Sequence, residues 1–165
     1  MALGWGAVGC YDSAPPPDVA TSVDLERFQG NWYEIAKLPR ATETDCTATV
    51  ATYWLRPDGD LDVTSQCHVG AVDGPLKSMT ATAKVPDGST PAKLALDVGG
   101  FYGDYWILEV GQNYEFAVVG HPSREYLWIM SRTPHLDPGV QAGILRRAEA
   151  QRFDVSRLEY TRQDP

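Results

Sequence analysis

Residues 30–36 read Gly-Asn-Trp-Tyr-Glu-Ile-Ala, and this stretch opens the first of a series of predicted β-strands. We predict that strand over Trp32–Leu38, ending at Pro39 because proline has no backbone N–H for the next ladder bond. Directly before it, Asp24–Gly30 is predicted to form a short helical turn that begins with Asp24 as its N-cap and ends at the glycine. A helical turn therefore leads straight into a strand.

Seven further strands are predicted, separated by turn residues such as Pro57-Asp58-Gly59-Asp60 and Pro86-Asp87-Gly88. The predicted strands are Thr47–Arg56, Leu61–Val69, Lys77–Val85, Ala92–Val98, Tyr105–Val110, Tyr114–Val119 and Glu125–Arg132. Regular spacing of short strands with turn residues between them indicates an up-and-down meander. Eight such strands can close into a barrel just wide enough for one small ligand.

The pattern changes after the eighth strand. Asp137 is predicted to cap a helix that has Pro138 at its first position. Apolar residues recur at helical spacing and predict packing against the outside of the barrel; they are Val140, Ile144, Leu145 and Ala148. Phe153–Tyr160 is predicted to add a ninth strand. The predicted fold class is all-β: an eight-stranded antiparallel up-and-down β-barrel with an N-terminal helical turn, a C-terminal α-helix and a short ninth strand.

The charge and the histidines exclude several classes of function. With 14 Lys and Arg against 22 Asp and Glu, the chain of 165 residues has a net charge of −8, which argues against nucleic acid as a partner. His68, His121 and His135 have no zinc-site spacing, and no glycine-rich phosphate loop occurs. His68 follows Cys67 on a strand, so the two side chains point to opposite faces and cannot act as base and nucleophile. We therefore expect no catalytic residue, no metal and no cofactor.

Three motifs in order resemble the lipocalin family. Residues 30–36 match its G-x-W-Y-E-I-A opening, and 126–134, Tyr-Leu-Trp-Ile-Met-Ser-Arg-Thr-Pro, is similar to the signature of the bacterial lipocalin branch. That branch is also similar to plant temperature-induced lipocalins and apolipoprotein D. Residues 105–108 and 114–119 fit the middle motif, although Gly111 stands where the family usually has Asp. The resemblance covers about residues 24–161.

The resemblance implies structural roles for three motif residues at one end of the barrel. Gly30 and Trp32 belong to the opening motif, and Arg132 is expected to lie across the Trp32 indole and close one end of the barrel. A cation–π contact of this kind is worth on the order of 0.5–2 kcal/mol. Trp32 and Arg132 are therefore assigned to structure.

Three cysteines in an exported protein suggest one pair and one separate thiol. We predict the pair Cys46–Cys67, since related bacterial lipocalins often carry cysteines at both places; the alternative is two free buried thiols. Simple pairing through the Asp58-Gly59 turn would set Cys46 opposite about residue 70, so a β-bulge or bend in the second strand is required.

Cys10, the remaining cysteine, follows Ala7-Val8-Gly9 and resembles the lipidated cysteine of a bacterial lipobox. We predict a lipoprotein signal remnant and proline-rich linker over residues 1–23 and the lipocalin domain over 24–165. Cys10 would carry a lipid anchor, placing the protein in the bacterial cell envelope, as an outer-membrane lipoprotein facing the periplasm. The alternative is an unstructured tail.

Strand alternation predicts the residues that line the cavity. Those sharing the parity of Trp32 and Arg132 are Glu34, Ala36, Tyr126, Trp128 and Met130; by the resemblance, Tyr53 and Trp128 line the pocket. An aromatic, Met-containing wall suits an acyl chain, so the expected ligand is a fatty acid or lysophospholipid with its headgroup near Arg56 or Lys77. The alternatives are a filled barrel that serves structure or interaction and a pigment or haem carrier; a homodimer is left open.

Overall fold

The computed structural model describes residues 14–40 and 45–164, so Cys10 and its predicted lipidation lie outside the described residues. The short helix α1 is Leu25–Phe28 and the longer helix α2 is Pro138–Ala150, followed by a 3₁₀ turn at Val155–Arg157. The strands are β1 Gly30–Lys37, β2 Cys46–Leu55, β3 Leu61–Val69, β4 Leu76–Lys84, β5 Lys93–Val98, β6 Phe101–Val110, β7 Phe116–Gly120, β8 Leu127–Ser131 and β9 Glu159–Tyr160.

The strands form a closed antiparallel barrel, as predicted. Each strand from β2 to β8 pairs with the next, and β1 pairs with both β2 and β8. Gly30 lies opposite Tyr53 on one side of β1, and Tyr33 lies opposite Ser131 on the other. Closure leaves β1 to β8 without the open edges that promote aggregation. β9 adds to β1 beyond the point where β2 diverges from it.

The ninth strand is much shorter than predicted. Only Glu159–Tyr160 pair with β1, and Val155–Arg157 form a 3₁₀ turn where a strand was expected over Phe153–Tyr160. Phe153 is 2% exposed and packs in the core between α2 and the barrel, so burial of this ring fixes the chain before any ladder can begin. The apolar residues of that segment pack in the core between α2 and the barrel and do not form a strand.

Both helix starts have the predicted caps. The Asp24 carboxylate accepts from the N–H groups of Glu26 and Arg27 at the start of α1. The Asp137 carboxylate accepts from two N–H groups of α2, whose first residue is Pro138. Ile144 and Ala148 are buried against β7 and β8 and form an outer core distinct from the barrel interior.

The connections define two ends of the barrel. The β2–β3, β4–β5 and β6–β7 turns and helix α1 lie at one end, called here the closed end. The β1–β2, β3–β4, β5–β6 and β7–β8 connections lie at the other, called the open end.

The described part of the predicted linker runs along the barrel: the Ala20 N–H donates to Ile107 O, and Val23 is buried. At the open end, the Arg124 guanidinium donates to Pro15 O at 2.6 Å.

Gly111 keeps the β6–β7 turn intact although the family usually has Asp there. A Cβ atom at this position would lie 2.4 Å from the carboxylate of Glu115. That carboxylate accepts from the Asn113 N–H at 2.9 Å, and the Tyr114 N–H donates to Gly111 O. Glu115 therefore supplies a carboxylate acceptor in this turn from a different position in the chain.

Candidate ligand-binding site

The closed end is sealed by the predicted contact between Arg132 and Trp32. The guanidinium carbon lies 3.7 Å from the indole centroid, and Trp32 is fully buried. The Arg132 guanidinium also donates to the carbonyl oxygens of Asn31 and Arg27, which fixes it over the ring. Partial burial lowers the pKa of Arg132, but an arginine so placed stays charged. Gly30 has φ +95°, and a Cβ there would approach the guanidinium, so glycine is required at the motif's first position.

A β-bulge in β1 overturns one predicted cavity residue. The pairing with β8 shifts between Glu34 and Ala36, so the alternation of inward and outward side chains reverses at this point. Ala36 was predicted to face the cavity; it is instead fully buried in the outer core beside α2. The same reversal turns Lys37 inward, where it lines the cavity.

A second bulge, in β2, allows the predicted disulfide. Cys46 lies opposite Val69, and the register shifts between Thr47 and Val50. This brings Cys46 onto the inner face within 5.4 Å, Cα to Cα, of Cys67, and the two sulfurs are bonded. Both the predicted pair and the predicted bulge are confirmed. Closing a loop with a sequence separation of 21 stabilises the fold by about 3 kcal/mol.

Above the closed end lies a deep chamber of about 60 Å³ with a largely apolar wall. Its lining residues are Trp32, Glu34, Arg40, Thr49, Ala51, Tyr53, Val63, Ser65, Met79, Ala81, Leu96, Tyr105, Trp128 and Met130. Of the predicted ligand residues, the structure places Tyr53, Trp128, Met130 and Glu34 here. The Tyr53 and Tyr105 hydroxyls share a hydrogen bond of 2.5 Å. Burial raises the pKa of Tyr53 to about 12, so this hydroxyl stays neutral.

An outer vestibule of about 280 Å³ adjoins the chamber at the open end. Its lining residues are Lys37, Arg40, Cys46, Thr49, Ser65, Cys67, Lys77, Ser78 and Met79. Four of these, Arg40, Thr49, Ser65 and Met79, line both compartments, so the two adjoin along one wall. The disulfide forms part of the vestibule wall.

Two predicted residues lie away from the cavity wall. Tyr126 precedes β8 and stacks on Trp128 with ring centroids 6.3 Å apart, outside the chamber lining. Arg56 lies in the β2–β3 turn at the closed end and pairs with Asp58 at 2.7 Å, where it cannot meet a headgroup at the mouth. Asp58 raises the pKa of Arg56. Lys77, the other predicted headgroup residue, does line the vestibule.

Arg40 is a cavity residue that sequence reasoning missed. Its guanidinium lies 5.2 Å from the Tyr126 ring centroid and 5.3 Å from that of Trp128, so it is held above the cavity wall by two aromatic faces. The sequence did carry a signal for this residue. Arg40 is a cation in the β1–β2 connection, and a meander places that connection at the open end of the barrel.

Comparison with known proteins identifies the family. The model of the Lipocalin-like domain matches residues 23–163, nearly the whole of the described barrel. The protein belongs to the lipocalin family. It is 34% identical over 163 residues to Outer membrane lipoprotein Blc of Escherichia coli K12, covering 94% of this chain and 89% of that one. Temperature-induced lipocalin-1 of Arabidopsis thaliana is 32% identical over 153 residues, covering 88% and 82%.

The fold is shared with solved lipocalin structures. Insecticyanin from the tobacco hornworm Manduca sexta superposes with a TM-score of 0.69 at 21% identity, covering 89% of this chain and 84% of that one. Lipocalins are binding proteins for small hydrophobic ligands. Within the described residues of this lipocalin, no helix is long and apolar enough to cross a bilayer.

In this lipocalin, the C-terminal segment completes the wall where β1 and β2 separate. The Thr161 hydroxyl donates to the Glu34 carboxylate, and the Gln163 amide donates to Glu34 O and Thr49 O. Glu34 also pairs with Lys37 at 3.5 Å, and both side chains are almost fully buried. A buried ion pair therefore sits in the wall between the chamber and the C-terminal segment.

Proposed function

We propose that this lipocalin binds, and stores or transports, a fatty acid or lysophospholipid in the bacterial cell envelope. The observation that carries the proposal is the order of the two compartments. A vestibule with Lys37, Arg40 and Lys77 in its wall leads to a chamber lined mostly by aromatic and aliphatic side chains. Such a cavity fits a molecule with one apolar chain and one polar end.

The volumes support an acyl chain that spans both compartments. A chamber of about 60 Å³ holds only a few water-sized groups, so a long chain must also occupy the vestibule. Met79 and Met130 line the chamber, and unbranched Met side chains adjust to an irregular guest at small cost.

Titration of the full chain with oleate and with lysophosphatidylcholine, followed by tryptophan fluorescence, tests this function. We expect saturable one-site quenching at micromolar ligand. Trp128→Ala is expected to weaken binding about 10-fold, because the indole contributes chamber wall that an acyl chain covers. Trp54→Ala is the matched control, since Trp54 is 60% exposed and lines neither compartment. A folded protein that binds no acyl ligand would favour a filled barrel with a structural role.

The envelope location rests on Cys10 and on the relatives named outer membrane lipoprotein. An acyl anchor on Cys10 would be four residues from Ala14, a span of at most about 14 Å. Ala14–Pro17 lie beside Arg124 in the β7–β8 connection, so the tether would hold the open end close to the membrane. An outer-membrane lipoprotein facing the periplasm would then present its cavity mouth to the lipid surface.

Radiolabelled palmitate fed to bacteria expressing the full chain tests the anchor. We expect label on the protein and its recovery with membranes, both lost in Cys10→Ala. Cys46→Ala/Cys67→Ala is the control, since those cysteines are paired inside the barrel. Label that persists in Cys10→Ala, or its absence from the unaltered chain, would rule out the anchor.

A further inference from the structure

The Thr49 hydroxyl is a buried polar group left without a hydrogen bond. Thr49 is 6% exposed, and its Oγ1 atom has no hydrogen-bond partner among the described residues. Native proteins seldom leave such a group unpaired, because a buried hydroxyl without a hydrogen bond lowers the stability of the folded protein relative to an apolar side chain of the same shape. Thr49 lines both the chamber and the vestibule, so this residue lies at the junction that a ligand must pass.

Positive charge is concentrated around the same junction. Lys37, Arg40 and Lys77 line the vestibule, and none of its described lining residues is an acid. This contrasts with a chain whose net charge is −8. Lys37 is 4% exposed, and its ammonium lies 3.5 Å from the carboxylate of Glu34, the one acid that lines the adjoining chamber, so the described lining residues of the two compartments hold three cations and one carboxylate.

We infer that Thr49, Lys37 and Arg40 form a subsite for an anionic headgroup, and that the barrel selects single-chain lipids ending in an oxyanion over zwitterionic choline lipids. The inference rests on the proposed lipid binding and adds the class of headgroup. The shared chemistry is a carboxylate or a phosphate monoester whose oxygens accept from a hydroxyl and two cations.

The geometry suits an oxyanion better than a choline. The Arg40 guanidinium lies 5.2 Å and 5.3 Å from the ring centroids of Tyr126 and Trp128, and Arg40 lines both compartments, so a planar cation that recognises oxyanions borders the path of the headgroup. The Thr49 hydroxyl can donate a further bond. A choline group here would add positive charge to a wall in which Lys37, Arg40 and Lys77 already outnumber the single carboxylate of Glu34, which is unfavourable in a partly enclosed site.

Four ligands that share one oleoyl chain and differ in headgroup distinguish the headgroup's contribution to affinity from that of the acyl chain. The full chain is titrated, by tryptophan fluorescence, with oleate, oleoyl lysophosphatidate, oleoyl lysophosphatidylcholine and the uncharged monooleoylglycerol. We expect both anionic lipids to bind at least about 10-fold more tightly than the other two. Comparing oleate with lysophosphatidate shows which oxyanion the subsite prefers.

Thr49→Val removes the hydroxyl and keeps the shape of the side chain. We expect it to weaken binding of the two anionic lipids about 10-fold and to leave monooleoylglycerol binding unchanged. Its thermal stability is expected to equal or exceed that of the unaltered chain, because the unpaired hydroxyl is gone. Thr64→Val is the matched control on β3, since Thr64 lines neither compartment.

The outcomes distinguish the two proposals. If no oleoyl lipid binds, the proposed function fails and the subsite fails with it. If all four bind with equal affinity, or if Thr49→Val leaves the anionic lipids unaffected, lipid binding stands and the headgroup subsite is overturned. A preference for the choline lipid would overturn it as well.

Discussion

Replacing Trp32 by alanine is expected to lower the free energy of unfolding by about 4 kcal/mol, in the range for a fully buried tryptophan. The indole is completely buried at the closed end and packs on Phe28 with ring centroids 5.0 Å apart. Its N–H donates to Phe28 O at 2.8 Å, which ties β1 to helix α1. Its removal would leave a cavity and take away the π-face beneath Arg132.

Urea and thermal unfolding with the disulfide intact measure this effect. A loss of about 4 kcal/mol should lower Tm by roughly 12 °C in a domain of this size. Trp54→Ala makes the same chemical change on β2, but at a side chain that is 60% exposed, so we expect a loss below about 1 kcal/mol. Equal losses in the two variants would mean that the buried Trp32 contributes no more to stability than an exposed tryptophan does.

The closed end could be predicted from sequence because its determinants are local or belong to one motif. Asp24, the helical turn and Gly30 fix the entry to β1 through capping and a positive φ, and these depend on neighbouring residues. The barrel itself follows from turn residues placed between short strands. The bulge in β2 was also predictable, because the disulfide pair did not fit a simple register.

The cavity wall was harder to predict because a bulge has no reliable signature in a single sequence. The shift in β1 exchanges Ala36 for Lys37 on the inner face, and it depends on how β1 leaves β2 to pair with β9 and β8. Simple alternation therefore failed at Lys37, a charged residue that the bulge turns into the cavity. Thr49 had no signal at all, since a threonine in a strand is ordinary; only its three-dimensional surroundings make it unusual.

Neutralising Glu34 is expected to destabilise the protein by about 3 kcal/mol, as breaking a buried ion pair commonly does. Glu34 is 5% exposed and Lys37 is 4% exposed, with 3.5 Å between the carboxylate and the ammonium. Glu34→Gln keeps the size of the side chain and an oxygen that can accept from Thr161. The change therefore isolates the loss of negative charge beside a buried cation.

Urea unfolding of two further variants checks that interpretation. Asp97→Asn makes the same change in the surface pair with Lys84, at 3.8 Å, and should cost less than about 1 kcal/mol. Glu34→Gln/Lys37→Met removes both buried charges and should recover much of the lost stability. A single variant Glu34→Gln as stable as the unaltered chain would show that the pair contributes no net stability.

The same variant links stability to ligand choice. In the unaltered chain, Glu34 partly neutralises Lys37, so an oxyanion headgroup competes with a fixed carboxylate for that ammonium. Without the carboxylate, Glu34→Gln should bind oleate about 10-fold more tightly, measured by tryptophan fluorescence, while monooleoylglycerol is unaffected. Stability and affinity would then move in opposite directions, which a simple loss of packing cannot produce. Weaker binding of both lipids would instead mean that Glu34 acts by holding the C-terminal segment against the cavity wall.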